Sequence, residues 1–327
     1  MVDRPKLLQD IVDIIADYRE GEIAPPNSAH VDKWIKQFPG PVQEPILDEL
    51  AHVLGKTYFN KKDVQKFLAS VVASEKFAGA DPCTFWKGVK FLDVQTAGNS
   101  QRDMLALFER KLQKKCGISL SECGAKPHTF VYLDDGLFSG GRIKSDLIKW
   151  IGDSAPAEAK VAVITIALHQ LGEWFTSNDV KKAAEKAGKK IDVSWWRMVT
   201  VEDRKTYMAK SDVLRPTAIP DDTETQTYVA CLGTNPVLRT GSSVGELGVF
   251  SSNAGRELLE QEFLKAGVRV RAMCPYLNAY MRPLGCSLMK TTGFGSTIVT
   301  YRNCANNTPL VLWAGDPWYP LFPRKTN

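Results

Sequence analysis

Apolar positions recur at helical spacing through the first 78 residues. Leu7, Leu8, Ile11, Ile14, Ile15 and Tyr18 form one stripe, opened by Asp3 and Pro5. Val31, Trp34, Ile35 and Phe38 form a shorter one, ended by Pro39-Gly40-Pro41. Ile46, Leu47, Leu50, Val53 and Leu54 make a third after Pro45. Val64, Phe67, Leu68, Val71 and Val72 make a fourth, capped by Asn60. The pattern predicts a small all-helical domain over residues 1–78. Its slightly acidic balance makes it a poor DNA binder. It is expected to dock or regulate partners, or to serve as a scaffold for the rest.

From residue 79 the period changes. Gly88 to Val94 reads as a strand, Gln95 to Ser100 as a small polar loop, and Gln101 to Lys115 as a helix carrying Met104, Leu105, Phe108 and Leu112. Phe130 to Leu133 is a second apolar run, followed by Asp134, Asp135 and a small-residue turn. A helix follows with Ile143, Leu147, Ile148 and Ile151. Lys160 to Leu168 is nearly continuously apolar, as a buried parallel strand requires. A helix from Thr176 or Ser177 to Ala187 and a strand from Ile191 to Val199 continue the alternation. Residues 200–250 look irregular, as an insertion or hood. A helix over 252–266, a strand over 268–273 and a strand over 297–301 complete the prediction. The fold class expected is α/β, with a mainly parallel sheet and flanking helices over 79–327.

At 327 residues, 44% hydrophobic and 24% charged, the chain has room for two domains and a sizeable core. Its longest apolar run, broken by Thr165, is far too short to span a bilayer. The N-terminus lacks a signal-peptide core. Seven cysteines without CxxC spacing point to a reducing cytoplasm, and against a disulfide framework or a zinc cluster. The four histidines are not spaced as metal pairs. A net charge of +5 suits small anionic ligands without demanding nucleic acid.

The chemistry concentrates in Phe130–Arg142, FVYLDDGLFSGGR. Paired acids at the carboxyl end of a strand stand where open α/β sheets bind ligands. Glycines let a backbone approach a phosphate closely, and the free N–H groups of a helix start point at the anion. Adjacent acids do not fit a haloacid-dehalogenase-type phosphatase, which needs them two positions apart. No G-x-x-x-x-G-K-[ST] run is present, so a P-loop NTPase is excluded.

This stretch resembles the phosphoribosyl-diphosphate loop of type I phosphoribosyltransferases. The resemblance implies that fold. It makes Asp134 and Asp135 acceptors for the ribose hydroxyls, and Ser139, Gly140 and Gly141 the 5′-phosphate cradle. Arg142 stands where the family usually has Thr or Ser; it either adds charge to the phosphate site or is a solvated helix-start residue. The loop QTAGNS is then the counterpart of the pyrophosphate loop, with Gln95, Thr96, Gly98 and Ser100 as candidates. It has no cation before Arg102, where the family commonly carries one. Cys116 to His128 matches the position of the mobile loop of this fold. His169 either faces the site or is a hydrogen-bonded strand end. Asn306 and Asn307, with nearby tryptophans, either line an acceptor pocket or form an amide-rich turn with an aromatic clamp.

The combination of Tyr18–Ile23, His30–Pro39, Leu92–Leu105, Tyr132–Arg142 and Asn306–Trp313 is similar to phosphoribosyltransferase-like effectors of prokaryotic conflict and antiviral systems, including those beside retron reverse transcriptases. The resemblance implies an effector held in check by a reverse transcriptase with its RNA–DNA product, and by a small helix-turn-helix protein. It further implies a 5-phosphoribosyl donor or nucleotide as substrate. Mg²⁺ is expected on the diphosphate and ribose oxygens, with no protein metal site. Transfer of the phosphoribosyl group and its hydrolysis both remain open, and so does homo-oligomerisation. The alternative is a catalytically inactive nucleotide sensor or structural subunit. A nucleic-acid-binding regulator is a third, weaker reading.

Overall fold

A computed structural model describes residues 3–95, 99–125, 127, 129–206, 212–239, 247–286 and 291–325. The chain divides into two compact units. One joins Met1–Lys61 to Glu202–Thr326, and the other is Lys62–Val201. The division therefore does not follow the expected boundary at residue 78.

The reason lies in how the first helices bury their stripes. Helices α1 (Arg4–Ile14), α2 (Ser28–Ile35) and α3 (Gly40–Thr57) form as the periodicity predicts, followed by a two-residue strand β1 (Tyr58–Phe59). Asn27 caps α2 by accepting from the His30 N–H at 2.9 Å. The apolar faces then pack with residues some 250 positions later. Trp34 Nε1 donates to the Val311 carbonyl at 2.8 Å, and Phe38 meets the Trp318 ring edge-on at 5.7 Å. Tyr18, Trp34, Leu50, Phe263, Leu312 and Phe322 share one continuous core. Three short helices cannot close a core alone, so the expected all-helical domain is completed by the C-terminal third.

The second unit opens with α4 (Lys61–Val72), α5 (Glu75–Ala78) and α6 (Pro82–Lys87). The alternation follows: β2 (Val89–Phe91), α7 (Ser100–Cys116), β3 (Thr129–Leu137), α8 (Gly141–Asp153), β4 (Glu158–His169), α9 (Gln170–Lys186) and β5 (Lys190–Val201). The four strands form one parallel sheet in the order β2-β3-β4-β5. The fold class is α/β, as the sequence predicts. One face carries α8 and α9, which bury Ile143, Leu147, Ile151, Val180 and Ala184 against Phe130, Tyr132 and Val163. Elsewhere Trp86 of α6 and Phe108 of α7 pack on each other and on Phe91 of β2.

The chain returns to the first unit through α10 (Thr223–Cys231) and α11 (Asn253–Met273). Two small ladders follow: β6 (Met281–Arg282) with β7 (Gly285–Cys286), and β8 (Val299–Thr300) between β1 and β9 (Asn303–Cys304). The last element is α12 (Leu310–Trp313). Three expectations are corrected. Residues 268–273 are the end of α11, because Leu264 and Val268 continue the four-residue spacing and no proline intervenes before Pro275. Helix α9 begins at Gln170, with no loop after β4, so Thr176 lies inside it. Cys83 of α6 and Cys116 of α7 form a disulfide, with Cα atoms 5.3 Å apart; folding brings together two residues that no motif spacing pairs. Among the described residues no helix is long and apolar enough to cross a membrane.

Candidate functional site

Strand β3 is central in the sheet, and its residues from Phe130 to Asp134 are buried. Burying an acid is costly unless it is hydrogen-bonded. Asp134, 3% exposed, accepts from the Asp135 N–H at 2.9 Å, while Asp135 is half-buried. The Tyr132 hydroxyl donates to Asp146 Oδ2 on α8 at 2.7 Å. Burial raises the Asp146 carboxyl above the usual range, against the pull of Tyr132 and Arg142. Burial likewise raises the Tyr132 hydroxyl. This buried bond ties the strand that carries the acids to the helix that follows them.

Between strand and helix stand only Phe138, Ser139 and Gly140. Gly140 has φ of 77°, the left-handed region, and occupies the N-cap position of α8. A Cβ there would lie 2.0 Å from Thr176 Oγ1 and 2.8 Å from the Gly172 carbonyl. The fit is reciprocal, since a Cβ on Gly172 would lie 1.9 Å from the Phe138 carbonyl. The first turns of α9 are thus a seat for the turn. Its N-cap glycine offers no side-chain cap, and among the described residues the N–H groups of the first turn have neither an intrahelical nor a capping partner. Ser139 and Arg142 are exposed beside them, and Gly141 is half-buried. Partial positive charge, backbone donors and one cation thus lie together on one surface, an arrangement that suits an anion.

A second loop lies on the same sheet edge, after the neighbouring parallel strand. Gln101, fully buried, accepts from the N–H groups of Val94 and Gln95 at 2.9 and 3.0 Å through Oε1. Gln95 in turn exchanges contacts with Ser100 Oγ at 3.3 Å. The structure therefore brings Gln95 and Ser100 together; Thr96 and Gly98 lie outside the described residues. Gln101 is the residue that sequence reasoning missed. Its Nε2 is buried with no hydrogen-bond partner among the described residues. The only signal was a second glutamine across a short polar loop.

His169 is buried at the end of β4, its ring 5.2 Å from that of Phe138. Asn306 and Asn307 belong to the other unit, in the turn between β9 and α12. The Asn306 carbonyl accepts from the Cys286 N–H at 2.8 Å, and Trp313 Nε1 donates to the Thr308 carbonyl at 2.9 Å. The Arg324 guanidinium lies 4.7 Å from the Trp313 ring centroid. Among the described residues no group of three His, Cys, Asp or Glu could hold a metal ion.

The PRTase-CE family model, which describes a phosphoribosyltransferase-like family, matches residues 31–324. The chain belongs to that family. No curated protein and no solved structure matches it.

Proposed function

We propose that this PRTase-CE protein holds a 5-phosphoribosyl donor or nucleotide on the β3–α8 turn and transfers or hydrolyses the phosphoribosyl group. One observation carries the reading. A left-handed glycine with no room for a Cβ opens an uncapped helix, just after a strand ending in a buried and a half-buried acid. Backbone N–H groups of the Ser139-Gly140-Gly141 turn hold the 5′-phosphate, and Arg142 adds charge. Asp134 and Asp135 accept from the ribose hydroxyls and stabilise the positive charge that grows on the ring as the leaving group departs from C1′. Fixing the phosphate supplies the orientation that the displacement needs. Gln95 and Ser100, held together on the loop after β2, are the candidates for the leaving group.

Asp135, the more accessible of the two acids, suits a metal carried mainly by substrate oxygens. Mg²⁺ held in that way would neutralise diphosphate charge. The wider reading is an antiviral effector in the cytoplasm. It is restrained by a retron-type reverse transcriptase with its nucleic-acid product, together with a small helix-turn-helix protein. A second reading, a nucleotide sensor without turnover, is favoured by the absence of any cation from residues 95 to 101.

Titration calorimetry with phosphoribosyl diphosphate and Mg²⁺ tests the site. Binding to the wild type that disappears in Asp135→Asn is expected. Equal binding by the variant sinks the assignment. Binding without product formation selects the sensor.

A further inference from the structure

Strand β5 is the long edge of the sheet. It runs for 12 residues at one end of the order β2-β3-β4-β5, while β2 at the other end has three. An edge strand turns the N–H and C=O of alternate residues toward its neighbour and those of the rest outward. The Val161 carbonyl of β4 meets Ser194 Oγ at 3.5 Å, and the Trp195 carbonyl accepts from Arg197 Nη1 at 3.1 Å. Even-numbered residues therefore turn inward, and Ile191, Val193, Trp195 and Arg197 turn their backbone groups outward. From Ile191 to Val199 no described main-chain group outside β4 meets them. Natural edges are blunted by proline, bulges, charges or short length. β5 has no proline, and its offset from β4 is constant from Lys190 to Val201. Its charges are the remaining guard, and they are of both signs: Lys190, Asp192 and Arg197.

The side chains alternate as the pleat requires. Ile191, Val193 and Trp195 pack toward α8 and α9, and Trp195 Nε1 donates to Ser177 Oγ at 3.0 Å. Asp192, Ser194 and Trp196 share the opposite face, where the Trp196 ring meets that of Phe77 on α5 at 4.5 Å. A hollow of about 390 Å³ there is lined by Lys76, Ser194, Trp195, Trp196 and Arg197, two cations and no acid. Lys76 and Asp192 are both exposed, and neither makes an ion pair with a described residue.

We propose that β5 pairs with β5 of a second copy of this chain. The strands run antiparallel about a two-fold axis at Ser194 and join two four-stranded sheets into one. Such an axis stands perpendicular to the sheet, so residues opposite one another come from the same face. With the axis at Ser194, outward residues meet outward residues: Val193 opposite Trp195 of the second copy, and Ile191 opposite Arg197. The seam gains about eight backbone hydrogen bonds. The Trp195 carbonyl keeps its Arg197 donor, since a carbonyl oxygen accepts two bonds. Charge selects this register. Asp192 of one copy stands opposite Trp196 of the other, beside Lys76. An axis at Val193 puts Lys190 there instead, against a like charge. An axis at Trp195 sets Asp192 opposite Met198 and leaves Lys76 without an acid. The carboxyl ends of the two sets of strands then lie at opposite ends of the joined sheet, so each copy keeps a β3–α8 turn of its own.

Sedimentation equilibrium on the full chain tests the pairing. A wild-type dimer at micromolar concentration is expected. Arg197→Pro removes an outward N–H at an exposed edge position, where proline is tolerated, and is expected to give a monomer with wild-type circular dichroism. Asp192→Lys and Lys76→Glu are each expected to weaken the dimer about tenfold, and the two together to restore it. Restoration cannot come from a misfolded chain, so this exchange decides the matter if the proline variant unfolds. Ser194→Cys sets two thiols across the axis with Cα atoms about 4.5 Å apart, within disulfide reach. Mild oxidation is expected to link its chains beyond the wild-type level and to leave Asp192→Cys unlinked. A monomeric wild type overturns the proposal, as does a folded Arg197→Pro protein that still forms the dimer. A charge exchange without restoration, or an Asp192→Cys protein that links as well as Ser194→Cys, overturns it too.

Discussion

Gly140→Ala makes the tightest demand on the site geometry. The new methyl group meets three penalties. A non-glycine residue at φ of 77° costs about 1–2 kcal/mol. The Thr176 hydroxyl at 2.0 Å must swing away, surrendering its own bond to the Gly140 carbonyl at 3.4 Å. The Gly172 carbonyl at 2.8 Å is backbone and cannot swing, so α9 must shift, with an overpacking cost of about 1–3 kcal/mol. Together these come to roughly 2–5 kcal/mol. Gly141→Ala is the internal control, because its nearest neighbour is Ser139 Oγ at 3.7 Å and its φ is ordinary. It is expected to change stability by less than about 0.5 kcal/mol. Urea unfolding followed by circular dichroism measures both. Thr176→Ala in the Gly140→Ala background removes the 2.0 Å contact and is expected to recover part of the loss, with a coupling of about 1 kcal/mol. A Gly140→Ala protein as stable as wild type, or no coupling to Thr176, would refute the claim that α9 is the seat of the turn.

Serine at both Cys83 and Cys116 removes a link across 33 positions and is expected to cost about 3–4 kcal/mol, read as a lower urea midpoint that dithiothreitol reproduces in the wild type. Trp34→Phe leaves the ring volume largely filled but strips the bond to Val311; about 1 kcal/mol is expected in the same assay, because Trp318 Nε1 still donates to that carbonyl at 2.9 Å. The Asp32 carboxyl is held below its usual range by Lys36 and Arg4, so its contribution is present above the unfolded carboxylate range and lost as pH falls through the lowered value. Melting curves of Asp32→Asn are expected to lie slightly below wild type at neutral pH and converge with it in acid; a constant gap would disprove the linkage. Asp146 has the opposite sign. Its raised carboxyl opposes folding once pH climbs through the raised value, so the stability of Asp146→Asn relative to wild type is expected to improve as pH rises across that window.

How far the site could be read from sequence follows the range of the interactions. The β3–α8 turn was readable because its parts are contiguous: an apolar run, two acids, small residues and an amphipathic helix within 22 residues, Phe130 to Ile151. The seat beneath it was not. Gly172 and Thr176 are needed by Phe138 and Gly140 across the sheet connection, and the start of α9 has no cap signal to separate it from β4. Gln101 was missed for a similar reason, since a glutamine one position into a helix gives no sign that its amide will hold two N–H groups upstream. The end of α11 was misread because Val268-Arg269-Val270-Arg271 alternates and also fits a helix face. The true extent of the N-terminal unit depends on contacts such as Trp34 with Val311, which no local pattern encodes.

That last contact bears on how the protein is made. The first unit is built from both ends of the chain, and the second is complete by Val201. On the ribosome the sheet and its β3–α8 turn are finished while α1 to α3 still lack Phe263, Leu312 and Trp318. At about 5–20 residues per second, the roughly 260 residues between α3 and Trp318 take on the order of 10–50 s to synthesise. Throughout that interval the apolar faces of the first three helices have no finished core to enter. The nascent chain therefore carries a completed α/β unit alongside helices whose apolar faces are still without their partners.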